Sequence, residues 1–393
     1  MKKLFIAAIM SLSLLSTSAF AEIKVGIILG FTGPIESLTP AMRDSAKLAF
    51  QEASDSGALL GGETITVIEG DSTCVDSSAA QSVAESQVSQ GVVAIMGADC
   101  SGVTGAIASN VAVPNGVVMI SPSATSPGLT TLDDKGLFFR TAPSDARGGQ
   151  ILADITKDRG IKSVAITYTN NDYGKGLADV YEAAVKAHGI SVTVVAAHED
   201  GKADYSAEVG VLASAGGDAV AVIGYLDQGG KGIIQGSIDS GAFDTFILSD
   251  GMIGNSLTDA FGKSLNKSFG SLPGSTGKGA GIFTKVASAA GIDSSGPYTG
   301  ESYDAAALIV LAIQAGGSAD RASIAKNVMA VANGPGKKIY PGQLKKGLDL
   351  LAKGKAIDYE GATGVTFTDV GEAVGSFLEK EIKGGKFKTK KQR

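Results

Sequence analysis

Two clusters of small hydroxyl-bearing residues follow apolar runs, and together they offer neutral hydrogen-bond donors. The run at 116–120 stops at residues 121–127 (SPSATSP), and the run at 92–96 leads into residues 97–101 (GADCS). Each pattern is typical of a buried strand that ends in a tight turn with free backbone amides. Ligands of open α/β sheets bind beyond the carboxyl ends of the strands, so the two turns together predict a clamp for a carboxylate group. Either turn alone is equally well explained as a simple end to its strand.

Nucleotide binding and catalysis find no support in the other motifs. The pair Gly30 and Gly33 lacks the third glycine of a dinucleotide-binding turn, and Pro34 interrupts the helix start that such a turn requires. The two histidines, His188 and His198, are interpreted as incidental surface residues, and no Ser-His-Asp or Cys-His arrangement is legible. We therefore predict a protein that is not an enzyme and that needs no cofactor and no metal.

The N-terminus has the three parts of a secretory signal. Lys2 and Lys3 form the positive region, residues 4–15 form the apolar core, and residues 19–21 (AFA) form a small-x-small cleavage site. The apolar core is too short to span a bilayer. We predict a signal peptide at 1–21 that is cleaved after Ala21, and an exported mature chain.

The predicted export affects the expected redox state of Cys74 and Cys100, the two cysteines of the chain. An oxidising compartment favours a disulfide between them. Each cysteine follows a predicted strand, and neighbouring parallel strands would bring the two ends together. The bridge would close a loop of about 25 residues and stabilise the fold by about 3–4 kcal/mol in the chain-entropy model. It would also fix the turn that carries Ser101.

The charge distribution argues against a nucleic-acid partner. The formal net charge is −6, and no basic stripe is present in the body of the chain. The end, residues 383–393 (KGGKFKTKKQR), is a basic tail that we interpret as solvated and disordered, with contact to a membrane surface as the alternative.

Strand-like and helix-like segments alternate in two series, which predicts an α/β fold with two doubly wound parallel-sheet lobes. A chain of 393 residues is also too long for one ordinary core. The predicted strands lie at 23–29, 64–70, 92–96, 116–120, 162–168, 191–197, 218–224 and 245–248. The predicted helices lie at 41–54, 76–89, 103–112, 174–187, 205–213, 228–240, 300–315, 321–331 and 343–351.

Three crossover segments are expected to join the lobes. The first is placed at 129–143, the second just beyond Pro273, and the third includes 365–367 and 377–382. Residues 22–142 and 274–355 are accordingly assigned to lobe 1. Residues 143–273 and 356–382 are assigned to lobe 2.

Several short stretches resemble the leucine/isoleucine/valine-binding family of periplasmic substrate-binding proteins, the type I class that serves ABC importers. They are the strand and turn at 23–34, the cysteines with Ser101, the turn at 121–127, the segment 170–176 (NNDYGKG), and residues 297–298 with 303–305. The resemblance covers the whole mature chain. It implies a Venus-flytrap fold, a periplasmic location, a monomer, a small-molecule ligand such as an amino acid or small carboxylate, and the transmembrane subunits of an ABC permease as partner.

The resemblance also implies roles for the residues that match the family's motifs. Ser101 and Thr125 would hold the ligand carboxylate and head group, and a carbonyl at Ser123 would accept from the ammonium. Asp250 would face the ammonium from the second lobe. The implied ligand-binding residues are Ser101, Ser123, Ala124, Thr125, Tyr173, Tyr225 and Asp250. The alternative for the two tyrosines is ordinary packing of the lobe surface, and for Asp250 it is a turn or N-cap role before Gly251.

Two departures from the family pattern leave the side-chain preference of the site open. Leu38 stands near where many members place an aromatic residue, and residues 272–281 are unusually rich in glycine. An aliphatic amino acid, a larger or polar one, an amide and a carboxylate without an amine all remain possible ligands. A ligand-sensing receptor module without a transport role is the alternative function.

Overall fold

The computed structural model describes residues 22–393, so the predicted signal peptide lies outside the described residues. The strands are β1 Glu22–Leu29, β2 Thr64–Asp71, β3 Ala94–Gly97, β4 Val118–Ser121, β5 Phe138–Arg140, β6 Ser163–Thr169, β7 Ser191–His198, β8 Ala219–Ile223, β9 Phe246–Leu248, β10 Phe269–Pro273, β11 Lys337–Ile339, β12 Ile357–Tyr359, β13 Phe377–Lys383 and β14 Lys386–Gln392. The α-helices are α1 Thr39–Asp55, α2 Ser77–Ser89, α3 Ser101–Ile107, α4 Asp145–Asp158, α5 Asp172–Ala187, α6 Ser206–Ala215, α7 Gly229–Ser240, α8 Asn255–Phe261, α9 Lys278–Ala289, α10 Thr299–Gly316, α11 Arg321–Ala332 and α12 Leu344–Leu351. None of these helices is both long enough and apolar enough to cross a membrane.

The first sheet contains five parallel strands in the order β2-β1-β3-β4-β5. Every residue of β3 and β4 is buried, which explains why both strands read as continuous apolar runs rather than alternating ones. The late helix α10 packs against α1 and against these two strands. Since β3 and β4 are hydrogen-bonded neighbours, their carboxyl ends lie side by side, as the predicted clamp requires.

The second sheet contains seven strands in the order β14-β13-β10-β9-β8-β6-β7. The strands from β10 to β7 are parallel, whereas β13 and β14 are antiparallel at one edge. The prediction of an α/β fold with two sheet-based lobes joined by three crossovers is confirmed.

The first crossover is shorter than expected and begins only near the end of the predicted segment. We placed it at 129–143, but Phe138–Arg140 pairs with β4 and forms the edge of the first sheet. The chain leaves that sheet only after Arg140, immediately before α4. The apolar pair Phe138 and Phe139 explains the difference, because both side chains are buried against the first core.

The third crossover lies later than expected. Ile357–Tyr359, which we assigned to the second lobe, pairs with β11 instead, and its Tyr359 hydroxyl donates to Asp304 of α10 at 2.8 Å. The backbone of Glu372 then forms an isolated parallel β-bridge with Arg140 at the edge of the first sheet. The chain joins the second sheet only at β13.

Two further predictions are wrong. The basic tail is not disordered, since Lys386–Gln392 forms a strand antiparallel to β13 and Arg393 contacts Glu379 at 2.6 Å. Acidic residues on β13 thus pair with this basic segment and hold it in the sheet. Its charge alone had indicated a solvated, disordered end. His198 is not a surface residue either, because it is only 2% exposed and its Nδ1 lies 2.8 Å from the Thr167 hydroxyl.

Candidate functional site

A cavity of about 30 Å³ lies between the carboxyl ends of the two sheets. Its lining residues are Ile35, Leu38, Met42, Asp99, Cys100, Ser101, Ser123, Tyr173, Tyr225, Asp250, Gly251 and Tyr298. Five of the seven predicted ligand-binding residues are among them. The other two, Ala124 and Thr125, are buried in the same turn but do not line the cavity.

The disulfide predicted between Cys74 and Cys100 is confirmed, with their Cα atoms 5.2 Å apart. It joins the segment after β2 to the segment after β3, and Cys100 directly precedes Ser101 at the start of α3. The bridge therefore ties one wall of the cavity to the neighbouring strand end.

Two serine hydroxyls and the buried acid Asp99 form the polar part of the first-sheet face of the cavity. Ser101 is buried, and its hydroxyl accepts a hydrogen bond from the backbone N–H of Ser126 at 3.1 Å. The Ser123 hydroxyl donates to the carbonyl of Asp99 at 3.1 Å. These bonds hold the turn after β4 against the turn after β3, which explains how two strand ends form one surface.

Arg140 fixes the same turn from behind. Its guanidinium donates to the carbonyls of Ala124 at 3.0 Å and Ser126 at 2.9 Å, and it pairs with Glu372 at 2.5 Å. The carbonyl of Ala124 is thus already engaged inside the protein. Arg140 is only 1% exposed, so this cation supports the turn and does not face the cavity.

Two buried polar atoms beside this face have no hydrogen-bond partner among residues 22–393. They are the hydroxyl of Thr125 and Oδ2 of Asp145, which lie near each other without the geometry of a good hydrogen bond. The backbone N–H of Asp145 donates to the Thr125 carbonyl at 2.8 Å. Burial, together with the nearby carboxylate of Asp250, raises the pKa of Asp145 well above its ordinary value. An N–H donor brought to this place would satisfy acceptors that the protein leaves unpaired.

The second-sheet face is acidic and aromatic. Asp250 begins the turn after β9 and is 6% exposed. Its Oδ1 accepts from the Tyr173 hydroxyl at 2.6 Å, and its Oδ2 accepts from the Tyr298 hydroxyl. The Tyr173 oxygen in turn accepts from the backbone N–H of Gly251 at 3.2 Å. Two phenols therefore hold a single carboxyl group in a fixed orientation.

Opposing effects set the protonation state of the Asp250 carboxyl group. Burial raises the pKa of Asp250, while the hydrogen bonds from Tyr173 and Tyr298 lower it. Burial and the adjacent Asp250 carboxylate raise the pKa of each of these tyrosines well above its ordinary value. The phenols therefore stay protonated and remain donors, so the acceptor of both bonds is the carboxyl group.

Apolar surface completes the cavity. The rings of Tyr173 and Tyr225 stack with centroids 5.1 Å apart and an interplanar angle of 18°. On the first-lobe side the cavity meets Ile35, Leu38 and Met42, which are all buried. The cavity thus combines neutral hydroxyl groups, the two acids Asp99 and Asp250, and an aliphatic patch.

Sequence reasoning missed three acidic or phenolic residues of this region. Tyr298 has a positive φ of 59° just before α10, and the Pro-Tyr pair in a glycine- and serine-rich loop was the available signal. Asp99 lines the cavity and accepts from the backbone N–H groups of Gly30 at 2.6 Å and Cys100 at 2.8 Å. It therefore joins the segment after β1 to the turn after β3. Nothing near Asp145 in the sequence distinguishes it from an ordinary first-turn helix residue.

Comparison with known proteins identifies the family. Residues 22–343 match the sequence family described as periplasmic binding protein. A Leu/Ile/Val-binding protein homolog 1 of Brucella melitensis is 32% identical over 318 residues, which cover 79% of this chain and 82% of that protein. Homolog 3 of the same organism is 32% identical over 218 residues, which cover 55% of this chain and only 58% of that protein.

Solved structures share the fold at lower identity. A leucine binding protein from Thermotoga maritima has a TM-score of 0.79 at 22% identity, covering 94% of this chain and 98% of that chain. A branched-chain amino acid transporter substrate binding protein from Streptococcus pneumoniae, in complex with isoleucine, has a TM-score of 0.77 at 23% identity, covering 95% and 99%. A solute binding protein from R. palustris, in complex with benzoate, has a TM-score of 0.76 at 18% identity, covering 95% and 96%. This chain therefore belongs to the leucine/isoleucine/valine-binding family of type I periplasmic binding proteins.

Proposed function

We propose that this protein captures an amino acid with an aliphatic side chain between its two lobes and delivers it to an ABC permease. The observation that carries the proposal is the opposition of two polar surfaces across one cavity. The neutral hydroxyls of Ser101 and Ser123 lie on one side, and the tyrosine-held carboxyl of Asp250 lies on the other. A zwitterion is complementary to that arrangement.

The ligand carboxylate is proposed to lie against the turns of the first sheet. Its ammonium would point toward the carboxyl group of Asp250. An ammonium group in a water-poor space is costly unless it is paired and hydrogen-bonded, so the acid is essential to this orientation. The side chain would then contact Leu38 and its apolar neighbours.

Binding is proposed to require movement of the lobes. A cavity of about 30 Å³ has room for about two water molecules and is too small for an amino acid. The three crossovers are the connections on which the lobes can part and close again as a hinge. Small-angle scattering with saturating ligand should show a smaller radius of gyration than without ligand, and an unchanged radius would count against the hinge.

The cellular setting follows from the family and from the predicted signal peptide. The protein is proposed to act as a monomer in the periplasm after cleavage behind Ala21. The names of the Brucella relatives and the isoleucine complex from S. pneumoniae support a branched-chain ligand. Delivery to a permease is favoured over sensing because the S. pneumoniae protein is described as a transporter substrate binding protein.

A carboxylate without an amine is the second candidate ligand. Burial raises the pKa of both Asp145 and Asp250, and a protonated acid could donate to a ligand oxygen rather than accept from an ammonium. The R. palustris protein that binds benzoate supports the same possibility.

A thermal-shift screen separates the two candidates. The protein would be tested against the common L-amino acids, their amides, and carboxylates that lack an amine, including benzoate. A ligand at a hundred times its Kd stabilises the native state by about 2.7 kcal/mol, which gives a clear rise in melting temperature. We expect the largest rise with an aliphatic amino acid. A larger rise with a carboxylate that lacks an amine would overturn the proposal in favour of the alternative.

A further inference from the structure

We refer to the cavity between the two sheets, which Asp250 lines, as the cleft. A second cavity, of about 270 Å³, lies on the other side of Tyr298. Its walls come from both lobes, namely the start of α10 with the loop at 294–298 on one side and strands β10, β13 and β14 on the other. Only Tyr298 lines both this cavity and the cleft. We refer to this second cavity as the back pocket.

A lysine without an acidic partner lies in one wall of the back pocket. Side chains alternate along β13, so Glu379 and Glu381 face Arg159 on one side of the sheet and Lys380 faces the back pocket on the other. The Lys380 ammonium donates to the Thr389 hydroxyl at 2.9 Å, but within residues 22–393 no carboxylate lies at ion-pair distance from it. Lys380 is half-buried, and burial lowers the pKa of its ammonium.

An acid without a cationic partner lies in the opposite wall. Glu301, in the first turn of α10, lines the back pocket and is 4% exposed. In the described part of the chain no other residue donates a hydrogen bond to its carboxyl group, and no cation pairs with it. Burial raises the pKa of Glu301 to about 8.

The two groups do not neutralise each other, and this shapes what the back pocket suits. A buried charge is costly unless it is paired, so Lys380 lacks a countercharge, and Glu301 is largely protonated at neutral pH until a cation approaches it. A ligand ammonium would pair with the ionised carboxylate of Glu301 and lower its pKa. The hydroxyls of Thr299 and Thr363 lie in the same walls and already donate within the protein, to backbone carbonyls and to Asp304, so they offer a ligand acceptors only. At about 270 Å³ the space is slightly below the size of a drug-binding pocket and fits a small solute.

We infer that the back pocket is a second ligand site, for a small zwitterion whose carboxylate pairs with Lys380 and whose ammonium pairs with Glu301. This inference does not depend on which ligand occupies the cleft. A ligand with only one of the two charges would leave one wall unpaired and bind more weakly.

Methyl NMR on the full mature protein tests the site, because the two cavities have different methyl reporters. Ala280, Ala362 and Thr363 line the back pocket, whereas Ile35 and Met42 line the cleft. The probes are glycine, β-alanine and 4-aminobutanoate, whose charges are separated by one, two and three methylene groups. At least one probe should shift the back-pocket methyls saturably. The matching acid without an amine and the matching amine without an acid should bind at least tenfold more weakly.

Three variants assign the binding to the two charged walls. Lys380→Met and Glu301→Gln should each weaken the back-pocket titration at least tenfold, and Lys388→Met, an exposed lysine of β14, should leave it unchanged. If Glu301→Gln does not fold, Lys380→Met carries the test, because its site is only half-buried. Shifts confined to Ile35 and Met42, no saturable shift with any probe, or equal binding by Lys380→Met would each overturn the inference.

Discussion

The two faces of the cleft differ in chemistry although both are built from the ends of parallel strands. On the first-sheet face, Ser101 and Ser123 present neutral hydroxyls within turns that Arg140 and a disulfide hold in place. On the second-sheet face, Asp250 presents an ionisable carboxyl group held by two tyrosines. Asp99 also lines the first-sheet side, but its two carboxylate oxygens already accept from the backbone N–H groups of Gly30 and Cys100, so Asp250 is the acid that we propose meets the ligand. A ligand with two unlike ends can then bind in only one orientation.

The faces also differ in what stabilises them. A covalent bridge supports the first face, so reduction should affect it most. The second sheet contains the buried His198 at the end of β7, and burial lowers the pKa of its imidazole, so protonation there opposes folding. Acid should therefore affect the second face first.

Removing the acid of the second face should have the largest effect. Asp250→Ala is expected to cost about 2–5 kcal/mol of binding free energy, the range for deleting one member of a buried charge pair. Asp259→Ala, an exposed acid on α8, is the matched control and should bind normally. Calorimetry with the ligand found by the thermal screen measures both. Normal affinity of Asp250→Ala would show that this acid does not meet the ligand.

Reducing the disulfide should destabilise the protein and loosen the first face. Closing a loop with a sequence separation of 26 is worth about 3.5 kcal/mol in the chain-entropy model. Reduced protein should therefore melt at a lower temperature and bind ligand more weakly, because the turn that carries Ser101 loses its anchor. Thiol titration of the denatured, unreduced protein should find no free thiol. Detection of two free thiols would refute the bridge.

Acid should destabilise the protein through His198. Burial lowers the pKa of this imidazole from 6.5 to about 4. Between those values the unfolded chain binds a proton that the folded protein does not, so the contribution of His198 to stability falls as the pH falls from 6.5 to 4. Burial raises the pKa of Asp304 to about 6 and acts in the opposite direction, so the effect of His198 is measured as a difference between wild type and a His198 variant. The loss should reach about 3 kcal/mol at the lower end. Urea unfolding across this range measures it.

The contribution of this histidine is isolated by substitution. His198→Asn should flatten the decline of stability below pH 6.5, because the side chain no longer titrates. His188→Asn, at a half-buried site beside Asp154, is the matched control and should keep the wild-type decline. An equally steep decline in His198→Asn would assign the acid sensitivity to other groups.

Removing a neutral donor of the first face should have the smallest effect. Ser101→Ala is expected to weaken binding by about 1 kcal/mol, since one neutral hydrogen bond is lost and the backbone amide remains. Ser78→Ala, an exposed serine near the start of α2, controls for the substitution itself. Calorimetry should rank Ser101→Ala clearly below Asp250→Ala. The reverse order would mean that the neutral face dominates recognition.

Much of the fold could be predicted from the sequence because the buried strands are continuous apolar runs. Helix α4 was missed since Gly148 and Gly149 lie near its N-terminal end and lower helix propensity. Tertiary packing explains the second of these glycines, because a Cβ on Gly149 would lie 2.7 Å from a side-chain carbon of Val180. Such a requirement depends on a residue in another helix and cannot be seen locally.

The residues of the site likewise fall into those that could be predicted from the sequence and those that could not. Ser101, Ser123 and Asp250 could be placed because each follows a strand whose end is visible in the sequence. Asp145 and Tyr298 come from a crossover and from a loop before α10, and only the folded chain brings them to Asp250. The basic tail shows the same limit, because its partner Glu379 lies on another strand.

The central claim is that Asp250 recognises a ligand ammonium opposite a neutral carboxylate clamp, and one chemical cycle tests it most directly. Calorimetry would compare wild type and Asp250→Ala, each with the best amino acid from the screen and with the same molecule lacking its amine. In wild type, loss of the ammonium should cost at least about 2 kcal/mol, and in Asp250→Ala it should cost almost nothing. An equal cost in both proteins would contradict the account.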